Sequence, residues 1–205
     1  MWHREVITEA VERTLLDLRR ISVLTNFYIA GGTGLALHLG HRRSIDLDLF
    51  TGESFDPDTI LGKVERLNGL QVLAQDLETL HLSIGETKVS FLAYRYPLLF
   101  PCEELSEVKI SDPRDIACMK ISAIAGRGTK RDFIDLYAVS KLYELSRLLA
   151  WFRQKYARAN YSVVHVLKSL TYFEEAETDP MPDMLVSLTW EEVKQFFAAE
   201  VPRLL

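Results

Sequence analysis

Two aspartates one residue apart, Asp46 and Asp48, lie in a short segment whose polar and apolar residues alternate. In a β-strand, residues two apart project from the same face, so both carboxylates should point to one place. Like charges this close repel each other unless a cation lies between them. Mg²⁺ is the expected cation, because it prefers oxygen ligands and is commonly held by one or two carboxylates together with substrate phosphates. An exposed edge strand with alternating polar residues would explain the same pattern.

A glycine-rich turn, Gly31-Gly32-Thr33, precedes the two aspartates. The turn leads from a short apolar strand into a short helix, and backbone N–H groups at the start of a helix can bind an anion. The Thr33 hydroxyl can add a hydrogen bond. A phosphate site close to a metal site is what phosphoryl transfer from a nucleotide requires. The turn is not a dinucleotide-binding fingerprint, because Leu37 replaces the third glycine, and no Walker A lysine follows it.

The spacing of apolar residues predicts the elements that position these groups. The first half is predicted to contain helices over residues 4–21, 35–39 and 56–69 and strands over residues 27–30, 45–50, 79–84 and 88–94. From residue 112 onward the chain is predicted to be helical, with breaks at Gly126 and Gly128 and later helices over residues 144–158, 161–176 and 189–200. The predicted fold class is α+β. Residues 1–111 are predicted to form a small mixed β-sheet with flanking helices. Residues 112–205 are predicted to form a helical part that packs on the sheet, either as a second domain or as part of one continuous domain.

The composition bounds the function. A chain of 205 residues with 48% hydrophobic and 26% charged residues has the values of a folded globular protein. A formal net charge of −5 argues against broad, sequence-independent coating of nucleic acid, which needs many Lys and Arg. The charged start, Met1-Trp2-His3-Arg4-Glu5, and the absence of a run of about 18 apolar residues predict a cytoplasmic protein with no membrane partner. Cys102 and Cys118 are expected to be reduced thiols.

Two blocks of sequence resemble a known family. The residues Gly31-Gly32-Thr33, His41-Arg42-Arg43-Ser44 and Asp46-x-Asp48 are similar to the nucleotidyltransferases of the DNA polymerase beta superfamily, and more closely to its AbiEii/AbiGii-type toxin branch. A second block is similar to the downstream lysine and R-D-x-x-D-L motifs of that branch; it consists of Asp115-Ile116-Ala117-Cys118-Met119-Lys120, Arg127 and Lys130-Arg131-Asp132-Phe133-Ile134-Asp135-Leu136. Both blocks occur in the family's order within about residues 28–140.

The resemblance implies a fold, an activity and partners. It implies a nucleotidyltransferase fold with a helical C-terminal part that binds a nucleoside triphosphate with Mg²⁺ and transfers a nucleotide to RNA, including tRNA ends. A cognate antitoxin is the further partner that it implies. The metal ligands would be Asp46 and Asp48. The implied nucleotide-binding residues are Gly31, Gly32, Thr33, Arg42, Arg43, Ser44, Lys120 and Arg127, and the implied catalytic residues are Asp46, Asp48, Lys120 and Asp135.

One position departs from the superfamily pattern. Many superfamily members supply a third metal-binding carboxylate from a later strand, and Ser90 occupies the corresponding position here. We interpret the loss as a changed arrangement of the metal or of the base. Two alternatives stay open: a small-molecule nucleotidyltransferase that resembles antibiotic-modifying enzymes, and an inactive module that binds a nucleotide or a partner.

The residues of the second block have different expected roles. Lys120 is expected to be exposed, because the other face of its helix is apolar, so its removal should cost little stability. Asp132 follows Thr129 by three residues, the position of an acid in an N-terminal capping box, and is predicted to be structural. Asp135 lies one turn further along, beyond the free N–H groups, and is the predicted proton acceptor for the attacking hydroxyl. At least one of Arg42 and Arg43 is expected to contact the triphosphate or the acceptor backbone.

Overall fold

The computed structural model describes residues 2–204, and it contains three strands beyond the predicted ones. The first half contains α1 (Glu9–Arg20), β1 (Tyr28–Ile29), α2 (Gly31–Leu39), β2 (Asp46–Thr51), α3 (Pro57–Val64), β3 (Leu70–Asp76), β4 (Thr79–Ile84), β5 (Thr87–Ala93), β6 (Glu103–Leu105) and β7 (Val108–Ile110). The second half contains α4 (Pro113–Gly126), α5 (Lys130–Ser140), α6 (Leu145–Lys155), α7 (Val163–Ser169), α8 (Glu174–Glu177) and α9 (Trp190–Glu200). Within residues 2–204, no helix is both long enough and apolar enough to cross a membrane.

One sheet of seven strands joins the elements of the first half, in the order β3-β4-β5-β2-β1-β7-β6. The sheet is mixed, because β2 runs parallel to β5 and β1 runs parallel to β7, whereas β1 and β2 are antiparallel. The predicted fold class, a mixed sheet with helices followed by a helical half, is confirmed. The division into residues 1–111 and 112–205 stays a prediction.

The two faces of the sheet have different neighbours. Leu47 and Leu49 of β2 are buried with α1 and α3, in a core that also contains Val89 and Phe91 of β5. Asp46 and Asp48 project from the opposite face, as the alternation predicted. Ile45 does not follow this pattern: its side chain is 57% exposed, because β2 begins only at Asp46 and Ile45 belongs to the preceding loop.

Several boundaries differ from the predicted ones for physical reasons. The helix after β1 begins at Gly31, so both glycines of the turn belong to its first turn. The helix that starts at Pro57 ends at Val64, and the chain then forms β3, which was not predicted. Most residues of β3 are exposed because it is an edge strand, and an edge strand buried on neither face carries little hydrophobic alternation. The short strands β6 and β7 were missed as well.

Candidate active site

The turn before α2 contacts the strand that carries the aspartates. Gly31 has a φ of +62°, a conformation that glycine adopts without the steric cost that a Cβ imposes. A Cβ at Gly31 would lie 2.9 Å from Oδ2 of Asp48, and a Cβ at Gly32 would overlap the guanidinium of Arg42. The two glycines therefore allow the start of α2 to lie directly against Asp48. This contact brings the predicted phosphate site and the predicted metal site together.

The two carboxylates of β2 border a cleft of about 260 Å³. The Asp46 side chain is 38% exposed. Burial raises the pKa of Asp48, the nearby Asp46 raises it further, and Lys120 opposes the shift. A cation between the carboxylates would remove this repulsion. The cleft is lined by Gly32, Thr33, Arg42, Ser44, Asp46, Asp48, Lys120, Arg127, Thr129, Arg131 and Asp132.

Thr33 and Ser44 line this cleft, but their hydroxyls are already used. The Thr33 hydroxyl lies 2.7 Å from the Ser44 hydroxyl and also hydrogen-bonds the main-chain carbonyl of Asp46. Both side chains are buried. Their contacts tie α2 to the start of β2, so the two residues hold β2 against α2.

Asp135 lies at the centre of a buried ion network. Its carboxylate accepts hydrogen bonds from Nε and Nη2 of Arg42 at 2.6 and 2.9 Å, and it lies 2.8 Å from Nε2 of His41 and 2.7 Å from Nζ of Lys120. Burial alone would raise the pKa of Asp135, but Lys120 and Arg42 hold it well below its ordinary value. With no exposed surface and these partners, Asp135 is not placed to receive a proton from an incoming hydroxyl. The observed contacts hold Arg42, His41 and Lys120 around this carboxylate, and the role of proton acceptor stays a prediction.

Lys120 is buried, so the prediction of an exposed lysine is wrong. Its ammonium lies 2.8 Å from Oδ1 of Asp132 and 2.7 Å from Oδ2 of Asp135, and its side chain is only 10% exposed. Burial alone would lower the pKa of Lys120, but Asp135 and Asp132 raise it above its ordinary value. The helical periodicity of α4 could not show that α5 packs over the polar face of that helix. The ammonium still borders the cleft.

Asp132 takes part in the start of α5 and in the ion network. Thr129 caps the helix, because its hydroxyl accepts a hydrogen bond from the Asp132 N–H at 3.4 Å. The Asp132 carboxylate accepts the Thr129 hydroxyl at 2.6 Å and the Lys120 ammonium at 2.8 Å. Asp132 thus lies at the predicted position in the helix start, but its carboxylate accepts the Thr129 hydroxyl in place of the backbone N–H that a capping box uses.

The two neighbouring arginines, Arg42 and Arg43, point to different places. Arg42 is buried and uses its guanidinium on Asp135 and on the main-chain carbonyl of Arg43. Arg43 is half exposed and lies 3.3 Å from Asp183 in an adjacent groove of about 470 Å³. Only Arg42 lines the aspartate cleft, and the ion pair with Asp135 already occupies it.

Two exposed arginines, Arg127 and Arg131, also line the cleft. The Arg127 and Arg131 side chains are 76% and 59% exposed, and Nη1 of Arg131 lies 3.9 Å from Oδ2 of Asp46. Arg131 is the arginine of the R-D-x-x-D-L motif, but it was not among the predicted site residues. Lys130, on its other side, is instead buried against the carbonyls of Glu177 and Asp179. The cleft thus has a carboxylate wall that suits a divalent cation and an arginine rim that suits phosphates.

Comparison with known proteins identifies the family. The family described as "Nucleotidyl transferase AbiEii toxin, Type IV TA system" matches residues 13–111 and 76–203. The chain belongs to the AbiEii nucleotidyltransferase toxin family. It is 36% identical over 203 residues to an uncharacterized protein of Aquifex aeolicus (strain VF5), covering 96% of this chain and 95% of that protein. The family and the nucleotidyltransferase activity predicted from the two sequence blocks are confirmed.

Solved structures of other nucleotidyltransferases share the fold of this AbiEii-family chain. MenT4, a nucleotidyltransferase toxin of Mycobacterium tuberculosis H37Rv, superimposes with a TM-score of 0.54 at 18% identity, covering 95% of this chain and 85% of that one. The antibiotic-resistance factor ANT(2'')-Ia superimposes with a TM-score of 0.53 at 17% identity, covering 74% of this chain and 96% of that one. Membership of the AbiEii family implies a nucleotide substrate, a divalent metal ion and an antitoxin partner.

Proposed function

We propose that the protein uses Mg²⁺ to transfer a nucleoside monophosphate from a nucleoside triphosphate to a hydroxyl of RNA, with tRNA ends as the leading acceptor. In this proposal it acts as a toxin that a cognate antitoxin restrains. One observation carries the proposal: the start of α2 lies so close to Asp48 that a Cβ at Gly31 would be 2.9 Å from the carboxylate oxygen. A phosphate bound at that turn and a metal bound by the aspartates would then be neighbours.

The residues present fit Mg²⁺. Asp46 and Asp48 offer oxygen ligands from one face of β2, and burial together with mutual repulsion disfavours the charged form of Asp48 in the absence of a cation. In residues 2–204, no group of three or more His, Cys, Asp or Glu side chains forms a metal cluster. Two carboxylates completed by substrate phosphates are a common Mg²⁺ site. The metal would neutralise the phosphates and polarise the α-phosphate.

The chain's own residues would bind and orient the triphosphate. The first N–H groups of α2 have no partner within the helix and can bind phosphate oxygens. The guanidinium groups of Arg127 and Arg131 would neutralise the β- and γ-phosphates from the rim, and Lys120 would add positive charge from below. The acceptor oxygen bonds to the α-phosphorus as the bond to the β-phosphate oxygen breaks, and pyrophosphate leaves. Positioning and charge neutralisation would supply most of the rate increase.

We propose RNA as the acceptor because two basic side chains of the cleft, those of Arg127 and Arg131, are exposed. Besides the triphosphate, these exposed guanidinium groups can contact RNA phosphates that flank the reacting nucleotide. A formal net charge of −5 confines such contacts to this local rim. The fold shared with ANT(2'')-Ia makes a small-molecule acceptor the alternative that an experiment must separate from RNA.

The decisive experiment follows the label of each nucleoside triphosphate in turn. The protein is incubated with Mg²⁺ and total RNA, using triphosphates labelled at the α- or the γ-phosphate. We expect the α-label, and not the γ-label, to appear in RNA. Asp46→Asn and Asp48→Asn should abolish the transfer, whereas Asp17→Asn, an exposed carboxylate on α1, should leave it unchanged. Label on a small molecule would show that the acceptor is a small molecule and not RNA. Nucleotide binding without any transfer would refute the proposal.

A further inference from the structure

A row of polar side chains crosses three adjacent strands beside the metal carboxylates. Asp48 of β2 is paired with Ser90 of β5, and Ser90 is paired with His81 of β4. Directly opposed residues on neighbouring strands project from the same face of a sheet. The residues that flank them, such as Leu82 and Val89, are fully buried on the other face. Asp48, Ser90 and His81 therefore share the face of the sheet that carries the cleft.

One hydrogen bond joins two members of the row, and the position of Asp48 favours one tautomer of His81. Nδ1 of His81 lies 3.0 Å from the Ser90 hydroxyl. Ser90 is paired with Asp48 across β5 and β2, so its hydroxyl lies on the same face as that carboxylate. An ionised carboxylate only accepts hydrogen bonds, so Ser90 uses its single proton on Asp48. Ser90 must then accept the proton of Nδ1, which leaves the lone pair of His81 on Nε2.

The transfer needs a proton acceptor, and the carboxylates of the cleft have other partners. Asp46 and Asp48 are assigned to the metal. Asp132 is bound by Lys120 and Thr129, and Asp135 is fully buried among cations. His81 is partly exposed and lies on β4, which only β5 separates from β2, so it can meet a hydroxyl that approaches Asp48 across this face of the sheet.

We propose that His81 is the proton acceptor of the transfer and that Ser90 is the positioning residue that fixes its tautomer. Nε2 takes the proton of the acceptor hydroxyl as the hydroxyl oxygen bonds to the α-phosphorus and the bond to pyrophosphate breaks. The resulting imidazolium returns its proton to water after product release. This inference rests on the proposed nucleotide transfer.

The test compares His81→Ala, His81→Asn and a matched control. Asn keeps an N–H donor near the position of Nδ1 but has no basic nitrogen. The control is Ser83→Ala, two residues along the same face of β4, where the hydroxyl donates only to the carbonyl of Gly85. We expect both His81 variants to lose at least about 100-fold in kcat, the usual scale for a general base. The KM and calorimetric Kd for the triphosphate with Mg²⁺ should change by less than about twofold, a factor well below 1 kcal/mol.

Added imidazole separates a lost base from a damaged site. Millimolar imidazole should restore turnover to His81→Ala, which has room for it, and should restore less to His81→Asn, while Ser83→Ala keeps the wild-type rate throughout. A His81→Ala variant with wild-type kcat would overturn the inference and leave the proposed function intact. Loss of nucleotide affinity without rescue by imidazole would also overturn it, because His81 would then only shape the site. A wild-type protein that transfers no nucleotide would overturn both proposals.

Discussion

Replacing Asp135 with Asn should destabilise the protein far more than a change of one atom suggests. The carboxylate is shared by Arg42, whose side chain is 4% exposed, and by Lys120, whose side chain is 10% exposed. An amide would leave Arg42 without its counter-ion and would point an N–H donor at other donors. Breaking a buried ion pair by removing one partner costs about 3–5 kcal/mol. At about 2–4 °C per kcal/mol for a chain of this size, the melting temperature should fall by about 6–20 °C.

The pH dependence of this loss has a definite sign. The pKa of Asp135 is held well below its ordinary value in the folded protein, by the neighbouring Lys120 and Arg42 against the effect of burial. A carboxyl with a lowered pKa contributes its full stability above the pKa of the unfolded chain, which is about 3.9, and loses it as the pH falls through the folded pKa. The difference in melting temperature between wild type and Asp135→Asn should therefore be constant from about pH 5 to pH 7 and shrink below about pH 4.

Thermal melts followed by circular dichroism at several pH values measure both effects. Asp17→Asn removes an exposed carboxylate and serves as the control; it should shift the melting temperature by no more than about 2 °C. If Asp135→Asn shifts the melting temperature by no more than about 2 °C and lowers turnover about 100-fold or more, this reasoning is refuted. That result would return the role of proton acceptor to Asp135.

Further predictions concern the turn, the second buried ion pair and the arginine rim. Gly31→Ala should abolish nucleotide binding in calorimetry and cost about 1–2 kcal/mol, because the added Cβ meets Asp48 at a φ of +62°. Lys155→Met should lower the free energy of unfolding, measured with denaturant, by about 3–5 kcal/mol, because it leaves the fully buried Asp115 without its cation. The two charged groups are 2.7 Å apart in the wild type, and the nucleotide affinity should not change. Arg131→Ala should weaken triphosphate binding about tenfold and leave the melting temperature within about 2 °C of the wild type, because the side chain is 59% exposed.

Local patterns in the sequence predicted those features of the site that depend on residues close together in the chain. The alternation around Asp46 and Asp48 predicted their shared face, and the glycines predicted a turn at the start of α2. Thr129 and Asp132 predicted a helix start, which the structure shows. In each case the relevant spacing is a few residues, so backbone geometry alone decides the result.

Contacts between distant residues could not be predicted in the same way. Arg42 and Asp135 are 93 residues apart, and nothing in either segment indicates that the arginine binds this carboxylate in preference to a substrate phosphate. Lys120 was expected to be exposed because α4 alone shows one apolar face, whereas packing against α5 buries the polar face too. The edge strand β3 escaped prediction because an exposed strand needs no hydrophobic alternation.

The ion pair between Arg42 and Asp135 also limits how early the cleft can form while the chain is being synthesised. The ribosome releases Arg42 first, and Asp135 follows 93 residues later. At synthesis rates of about 5–20 residues per second, the nascent chain spends roughly 5–20 s with Arg42 lacking its counter-ion. In that interval the part of the cleft lined by Arg42 and Lys120 should stay unformed, because Asp135 pairs with both side chains. A truncated translation product that ends before α5 should therefore contain Asp46 and Asp48 and still form no nucleotide site.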